Sequence, residues 1–284
     1  MLNIAKVLVF IAFFTSSLFA TIKINSGVML VGDKQNQEFE ITSKFNEHKY
    51  LIQIYKPKAT PPKDGYDVVY ILDGNATFPY ASLKAQIIDN SFKKTGKIAP
   101  LIVAIGYASK ELFDVKHRSY DYTLPYVGEL KVPANRGSSQ YKQGGADKFY
   151  SFIKNELKPL IEENYPINKN RQTLFGHSFG GLFTLYAFIN HNEDFQNFVA
   201  ASASIWWNDY AILKDIQNKK LDNKSNAKLF LSVGEVENKG KNPSDIETFA
   251  NELKKSNNFE ISILNIPNAS HIEALFPALD QVFK

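Results

Sequence analysis

Two residues of this chain have the type and the setting that acyl-transfer chemistry needs. Ser178 stands in Gly176-His177-Ser178-Phe179-Gly180-Gly181, a match to G-x-S-x-G. A serine hydroxyl used as a nucleophile must project above a sheet from a tight strand-to-helix turn, and glycines two residues to either side let the backbone turn without Cβ clashes. The pattern is short enough to arise by accident, so its context carries the reading. Thr173-Leu174-Phe175 before it reads as a strand, and Gly180–Ile189 after it reads as an apolar helix. The competing reading is a structural glycine turn. In a hydrolase of this kind the acid and then the base follow the nucleophile along the chain. His271, in Asn268-Ala269-Ser270-His271, follows the last strand read from the sequence, Phe259–Ile266. The other histidines fit the base less well. His48 comes before the core strands, His117 lies in a polar segment, and His191 sits near a helix end; His177 precedes the nucleophile, and its side chain is expected to point away from the serine's.

The acid has two candidates in Gly234-Glu235-Val236-Glu237, just past the strand Lys228–Val233. A carboxylate there would hold the histidine's tautomer and stabilise its imidazolium. Glu237 is favoured, three residues beyond the glycine. Glu235 is the alternative acid, and a Ser-His dyad without a close acid is the third possibility. The developing oxyanion needs two backbone N–H donors. Phe179 supplies one. Gly74 or Asn75, after the strand Tyr66–Leu72, supplies the other, and the sequence does not separate them. There is no P-loop, no G-x-G-x-x-G fingerprint and no H-E-x-x-H. With no cysteine among the 284 residues, thiol redox chemistry and Cys-ligated zinc are excluded. The net charge of +4 comes with lysines spread along the chain, which argues against a nucleic-acid tract and mildly favours an anionic substrate.

The elements that must position these residues are legible as alternating runs. Gln37–Lys44 and Lys49–Lys56 alternate like an antiparallel hairpin at one edge. Tyr66–Leu72, Leu101–Ile105, Thr173–Phe175, Phe198–Ser202, Lys228–Val233 and Phe259–Ile266 bring the strands to eight, and Asp147–Tyr165 is an amphipathic helix. Continuous apolar strands separated by helices predict a mostly parallel sheet covered on both faces, an α/β-hydrolase fold in one domain over residues 21–284. The polar stretch from Ser109 to Ala146, without clear periodicity, is expected to be a long lid-like loop. Residues 1–20 differ from the rest. Lys6 is their one charge, Val7–Phe14 is unbroken apolar sequence, and Leu18-Phe19-Ala20 offers a cleavage site. That apolar core is shorter than a membrane span, so it reads as a secretory signal peptide and the protein as periplasmic or secreted, with no stable membrane insertion after cleavage.

Beyond single motifs, the stretches Val69–Asn75, Arg118 with Asp121-Tyr122-Thr123, Gly144–Phe149, Gly176–Leu182 and Ser202–Trp207 resemble the esterase-D-type esterases. Within them the chain is most similar to the trilactone esterases that hydrolyse enterobactin-type siderophores. The resemblance implies cleavage of the lactone backbone of a catecholate siderophore, free or ferric, with Ser178 and His271 as nucleophile and base. It also implies that Arg118 binds substrate and Trp206 lines the pocket. No cofactor follows, since ferric iron would enter only as part of the substrate. Arg118, with Lys116 and His117 beside it, has the charge to pair with such an anion, and Trp206, Trp207, Tyr120, Tyr122 and Tyr126 have the rings to pack on catechols. Against these stand a salt bridge of Arg118 with Asp121 or Asp114, and core packing of the tryptophans. Rival functions are a general carboxylesterase or thioesterase on small acyl esters, and a non-catalytic binding protein on a hydrolase scaffold.

Overall fold

Alternation of apolar side chains along short β-branched and aromatic runs builds one twisted sheet here, and helices bury both its faces. The computed structural model describes residues 31–284 except 33, 133–139, 220, 222–225, 241–243 and 257–258; the leader expected at residues 1–20 lies outside the described residues. The strands are β1 (Val31–Gly32), β2 (Asn36–Thr42), β3 (Lys49–Tyr55), β4 (Tyr66–Leu72), β5 (Leu101–Tyr107), β6 (Ile167–His177), β7 (Asn197–Ala201), β8 (Lys228–Gly234) and β9 (Glu260–Ile266). Their order is β1-β2-β3-β5-β4-β6-β7-β8-β9. The eight expected strands are present, and the two-residue β1 extends the hairpin edge. From β5 through β9 every pairing is parallel, whereas β1, β2 and β3 join antiparallel.

The helices are α1 (Gly74–Thr95), α2 (Val115–Asp121), α3 (Ala146–Phe152), α4 (Lys158–Asn164), α5 (Phe179–His191), α6 (Trp207–Asn218), α7 (Asp245–Ser256) and α8 (Leu275–Leu279). Period-two alternation sorts the strands between two cores. Val69, Ile71, Ile102 and Ala104 pack under α1 and α8 with Phe78, Ala81, Leu275 and Leu279. Tyr70, Leu72, Val103 and Ile105 pack on the other face, with Phe149, Leu182, Phe183, Phe188 and Phe249 from α3, α5 and α7. Burying a side chain of this size contributes roughly 1.5–3 kcal/mol. Among the described residues no helix is long and apolar enough to cross a membrane.

Three expectations change. The helix read over residues 147–165 is interrupted by a π turn at Ile153–Leu157, between α3 and α4. Pro159, in the first turn of α4, lacks an N–H for the carbonyl of Asn155 and crowds it, which favours a wider turn. The 22-residue α1 has no counterpart in the sequence reading, because its buried stripe is built from small residues such as Ala81 and Ala85 and is broken by Pro79. The third is the lid-like loop from Ser109 to Ala146. It contains α2, whose Arg118, Ser119, Tyr120 and Asp121 are buried. Asp114 caps this helix by accepting from the His117 backbone N–H at 3.0 Å. Its polar residues are core residues because they satisfy one another, so hydropathy alone misreads them. Residues 133–139 of that stretch lie outside the described ones.

Candidate active site

Strand order reverses at β4, which has β5 on one side and β6 on the other. In an open α/β sheet the crevice beyond the carboxyl ends of strands at such a switch point is where ligands bind. Three non-glycine residues with positive φ stand at carboxyl ends there: Asp73 after β4 (φ 54°), Ser178 after β6 (φ 59°) and Ser202 after β7 (φ 42°). Backbone strain of this kind collects at functional sites. Ser178 is the sharpest case, with ψ at −117°. Its N–H donates to the carbonyl of Ala201 at 2.9 Å, and its own carbonyl accepts from the Leu182 N–H at 2.9 Å and the Ser204 N–H at 3.1 Å. The glycine two residues before it is required by space. A Cβ on Gly176 would sit 2.1 Å from the Gly180 carbonyl oxygen.

His271 and Ser178 line the same cleft, which has a volume of about 460 Å³. His271 Nδ1 lies 2.8 Å from Glu237 Oε1, so the carboxylate fixes the proton on Nδ1 and leaves Nε2 free to accept. Burial alone would raise the Glu237 carboxyl. The hydrogen bond and charge of His271 and the nearby Ser202 hydroxyl outweigh it and hold the group below its usual range. Glu235, the alternative acid, turns outward and accepts from the Asn268 N–H at 2.8 Å, away from the imidazole. The Ser178 hydroxyl meets Ser204 Oγ at 3.4 Å rather than the histidine. Nucleophile–base hydrogen bonds commonly tighten only around substrate.

The third group was not foreseen as a unit. Arg118 lines the cleft, but its charge is already met. Nε donates to Asp73 Oδ1 at 2.9 Å and Nη2 to Asp73 Oδ2 at 3.0 Å, a bidentate pair with both side chains almost fully buried. Nη2 also reaches the His177 carbonyl at 3.4 Å, and the guanidinium carbon lies 5.5–5.7 Å from the rings of Phe113, Tyr122 and Phe179. Burial would lower the guanidinium's pKa; the Asp73 carboxylate more than offsets that. The expected partners are engaged elsewhere. Asp114 pairs with His117 at 2.9 Å, and Asp121 accepts from Tyr50 at 2.8 Å and faces His48 at 3.0 Å. Arg118 is thus tied between the turn after β4 and the turn carrying Ser178, and its salt-bridge partner is Asp73 rather than the Asp121 or Asp114 considered from the sequence. Lys116 and His117 line a separate hollow with Lys44 and Lys148 rather than the cleft.

Among the oxyanion candidates, Phe179 lines the cleft, while Gly74 and Asn75 do not appear in its wall. All three are first-turn residues of α1 or α5, where backbone N–H groups have no intrahelical acceptor. The Asn75 side chain is spent on the end of β5: Oδ1 accepts from the Tyr107 N–H at 2.8 Å, and Nδ2 donates to the carbonyls of Tyr107 (3.0 Å) and Ser109 (3.2 Å). Only its backbone remains a candidate. A Cβ on Gly74 would lie 2.8 Å from Gly106 N, so the start of α1 is pressed against β5. Of the five aromatics considered for catechol packing, Trp206 alone lines the cleft, 5.9 Å from the Phe179 ring. Trp207 and Tyr122 are wholly buried, Tyr120 is buried, and the Tyr126 ring packs edge-on against Trp207.

The sequence reading also missed a role for His177. Its ring meets the loop carrying His271: Nε2 lies 2.8 Å from the backbone carbonyl oxygen of His271. Burial pushes its pKa down to about 3, and the facing His271 ring adds to this. Nothing in the sequence signals this contact between residues 94 positions apart.

The fold and this cleft define an α/β-hydrolase acting on ester bonds. Residues 43–272 match the Esterase family model, described as "Putative esterase". The chain is 40% identical over 206 residues to the ferri-bacillibactin esterase BesA of Bacillus subtilis (strain 168), covering 70% of each chain. It is 34% identical to a siderophore triacetylfusarinine C esterase of Aspergillus fumigatus, over 66% of this chain and 64% of that one. The crystal structure of the BES protein from Bacillus cereus superposes with a TM-score of 0.75 at 31% identity, over 89% of this chain and 96% of that one. The chain belongs to the Esterase family, and the two relatives above are named as esterases of ferri-bacillibactin and of triacetylfusarinine C.

Proposed function

We propose that this protein is a serine esterase that opens the trilactone backbone of an enterobactin-type catecholate siderophore, so that iron can be released. The observation that carries the reading is the Glu237–His271 pair at 2.8 Å in one cleft with Ser178 on its strained turn. In this reading His271 Nε2 takes the Ser178 Oγ proton as the oxygen attacks a lactone carbonyl. The oxyanion is held by the Phe179 N–H and by that of Gly74 or Asn75. The tetrahedral intermediate collapses as His271 returns the proton to the leaving serine hydroxyl of the siderophore. Water then repeats the sequence on the acyl-enzyme. Glu237 stays ionised and stabilises the imidazolium. No resident metal is needed, because the base and the oxyanion donors supply the activation; ferric iron enters only with the substrate. Trp206 offers its face to a catechol ring. Residues 1–20 direct export, so the enzyme works in the periplasm or outside the cell.

The substrate class rests on the relative named for ferri-bacillibactin. One observation favours a second reading, a general esterase on small neutral esters: the guanidinium in the cleft wall is neutralised by Asp73. The site reading is tested by a serine-directed phosphonate. Labelling at Ser178, slowed by trilactone substrate and lost in Ser178→Ala, is expected. Labelling at another residue would overturn it.

A further inference from the structure

We propose that His177 is a positioning residue for the base: a single buried hydrogen bond from its ring to the backbone of His271 sets the distance between base and nucleophile. The inference rests on the reading of Ser178 and His271 given above. His177 is 3% exposed, and its ring centroid lies 4.7 Å from that of His271. The carbonyl oxygen of His271 can only accept, so His177 Nε2 carries the proton. Nδ1 is then the unprotonated nitrogen, buried with no hydrogen-bond partner. An apolar side chain would fill this space without an unpaired nitrogen but would take the donor from the His271 carbonyl, so the cost at Nδ1 is carried for the one bond made at the other end of the ring.

The connectivity gives that bond its consequence. His177 is covalently next to Ser178, and the elbow that carries both is held by Ser178 N–H to Ala201 and by Arg118 to the His177 carbonyl. The loop carrying His271 is fixed at Ala269, whose carbonyl accepts from the Val236 N–H at 3.0 Å, and at Ser270, whose carbonyl accepts from the Ala274 N–H at 3.0 Å. Directly after these, the His271 residue is held twice: its ring by Glu237 and its backbone by His177. Glu237 sets the tautomer and orientation of the imidazole. His177 ties the base's main chain to the peptide unit adjoining the nucleophile, so the two reacting groups move as one body. Because the ring is neutral, it adds no like charge when His271 takes a proton.

The test compares wild type, His177→Gln and His177→Asn. The two amides carry the same chemistry and the same burial cost, and only the longer one reaches the His271 carbonyl. With a p-nitrophenyl ester, His177→Asn is expected to lose about 10- to 100-fold in kcat with KM within about two-fold, the size of effect that a displaced catalytic group produces. His177→Gln should recover most of that loss, and phosphonate labelling of Ser178 should slow in the same order. Melting curves report whether both variants are folded at the assay temperature. Equal loss in Gln and Asn, or kcat within three-fold of wild type in both, would overturn the proposal while Ser178 labelling in the wild type keeps the site reading intact. Wild-type labelling elsewhere would overturn both.

Discussion

Removing Arg118 separates a structural clamp from a substrate-reading cation. Arg118→Met keeps the length and apolar stem of the side chain and deletes the charge. Asp73 then keeps a carboxylate that is 2% exposed with its bidentate partner gone. Breaking one side of a buried pair costs about 3–5 kcal/mol. At roughly 2–4 °C per kcal/mol for a large domain, the melting temperature should fall by about 6–20 °C. The double variant Arg118→Met/Asp73→Asn leaves no buried charge, and asparagine tolerates the left-handed backbone at position 73. It should regain at least half of the lost stability, because neutral replacement of a whole buried pair is often close to cost-free. Catalysis should also suffer, since the clamp fixes both the turn after β4 and the His177 carbonyl; misplacement on this scale costs up to about 100-fold. The loss should be the same, within about two-fold, for a trilactone siderophore and a neutral p-nitrophenyl ester. Differential scanning calorimetry and paired kcat/KM measurements read both effects. Unchanged melting with a loss confined to the siderophore would refute the clamp and restore Arg118 as a reader of substrate charge.

Further outcomes follow from the same geometry. Glu237→Gln should lower kcat by about 10²- to 10⁴-fold, whereas Glu235→Gln should stay within three-fold; the reverse order in steady-state assays would reassign the acid. His177 is held neutral with a pKa near 3 against an ordinary 6.5, so the unfolded chain binds a proton that the folded one does not as pH falls below 6.5. Stability therefore drops on acidification, and between pH 7 and 5 the wild type should lose about 2 kcal/mol more than His177→Gln in denaturant titrations; parallel curves would contradict this. The mature protein should begin at or near Thr21, which N-terminal sequencing of the exported protein checks; an intact Met1 would refute the signal peptide.

The strained turn that carries Ser178 was legible because its constraint is steric. A Cβ at position 176 would approach the Gly180 carbonyl oxygen to 2.1 Å, so that constraint is written in the residue type beside the φ of 59° at Ser178. The pairing of His271 with Glu237 was expected from chain order and from their place after strands. Contacts made between distant loops were not. Arg118 meets Asp73 across 45 residues and His177 meets His271 across 94, and neither pairing leaves a local pattern. Asp114 and Asp121, nearer in sequence, looked like better partners for Arg118 and have their own. The polar composition of residues 109–146 hid α2 for the same reason, since buried charges that pair with each other look like solvent-exposed ones in a sequence. α1 was lost because alanines pack against a sheet without producing a strong apolar stripe.

The most direct test of the account is the turnover of an iron-free and a ferric catecholate trilactone beside p-nitrophenyl acetate, followed by mass-resolved product analysis. Wild-type protein is expected to open the trilactone to the linear trimer and then to monomeric N-acylserine, with kcat/KM above that for the small ester, and Ser178→Ala to do neither. A wide preference for the small ester, or trilactone opening that persists in Ser178→Ala, would contradict the account.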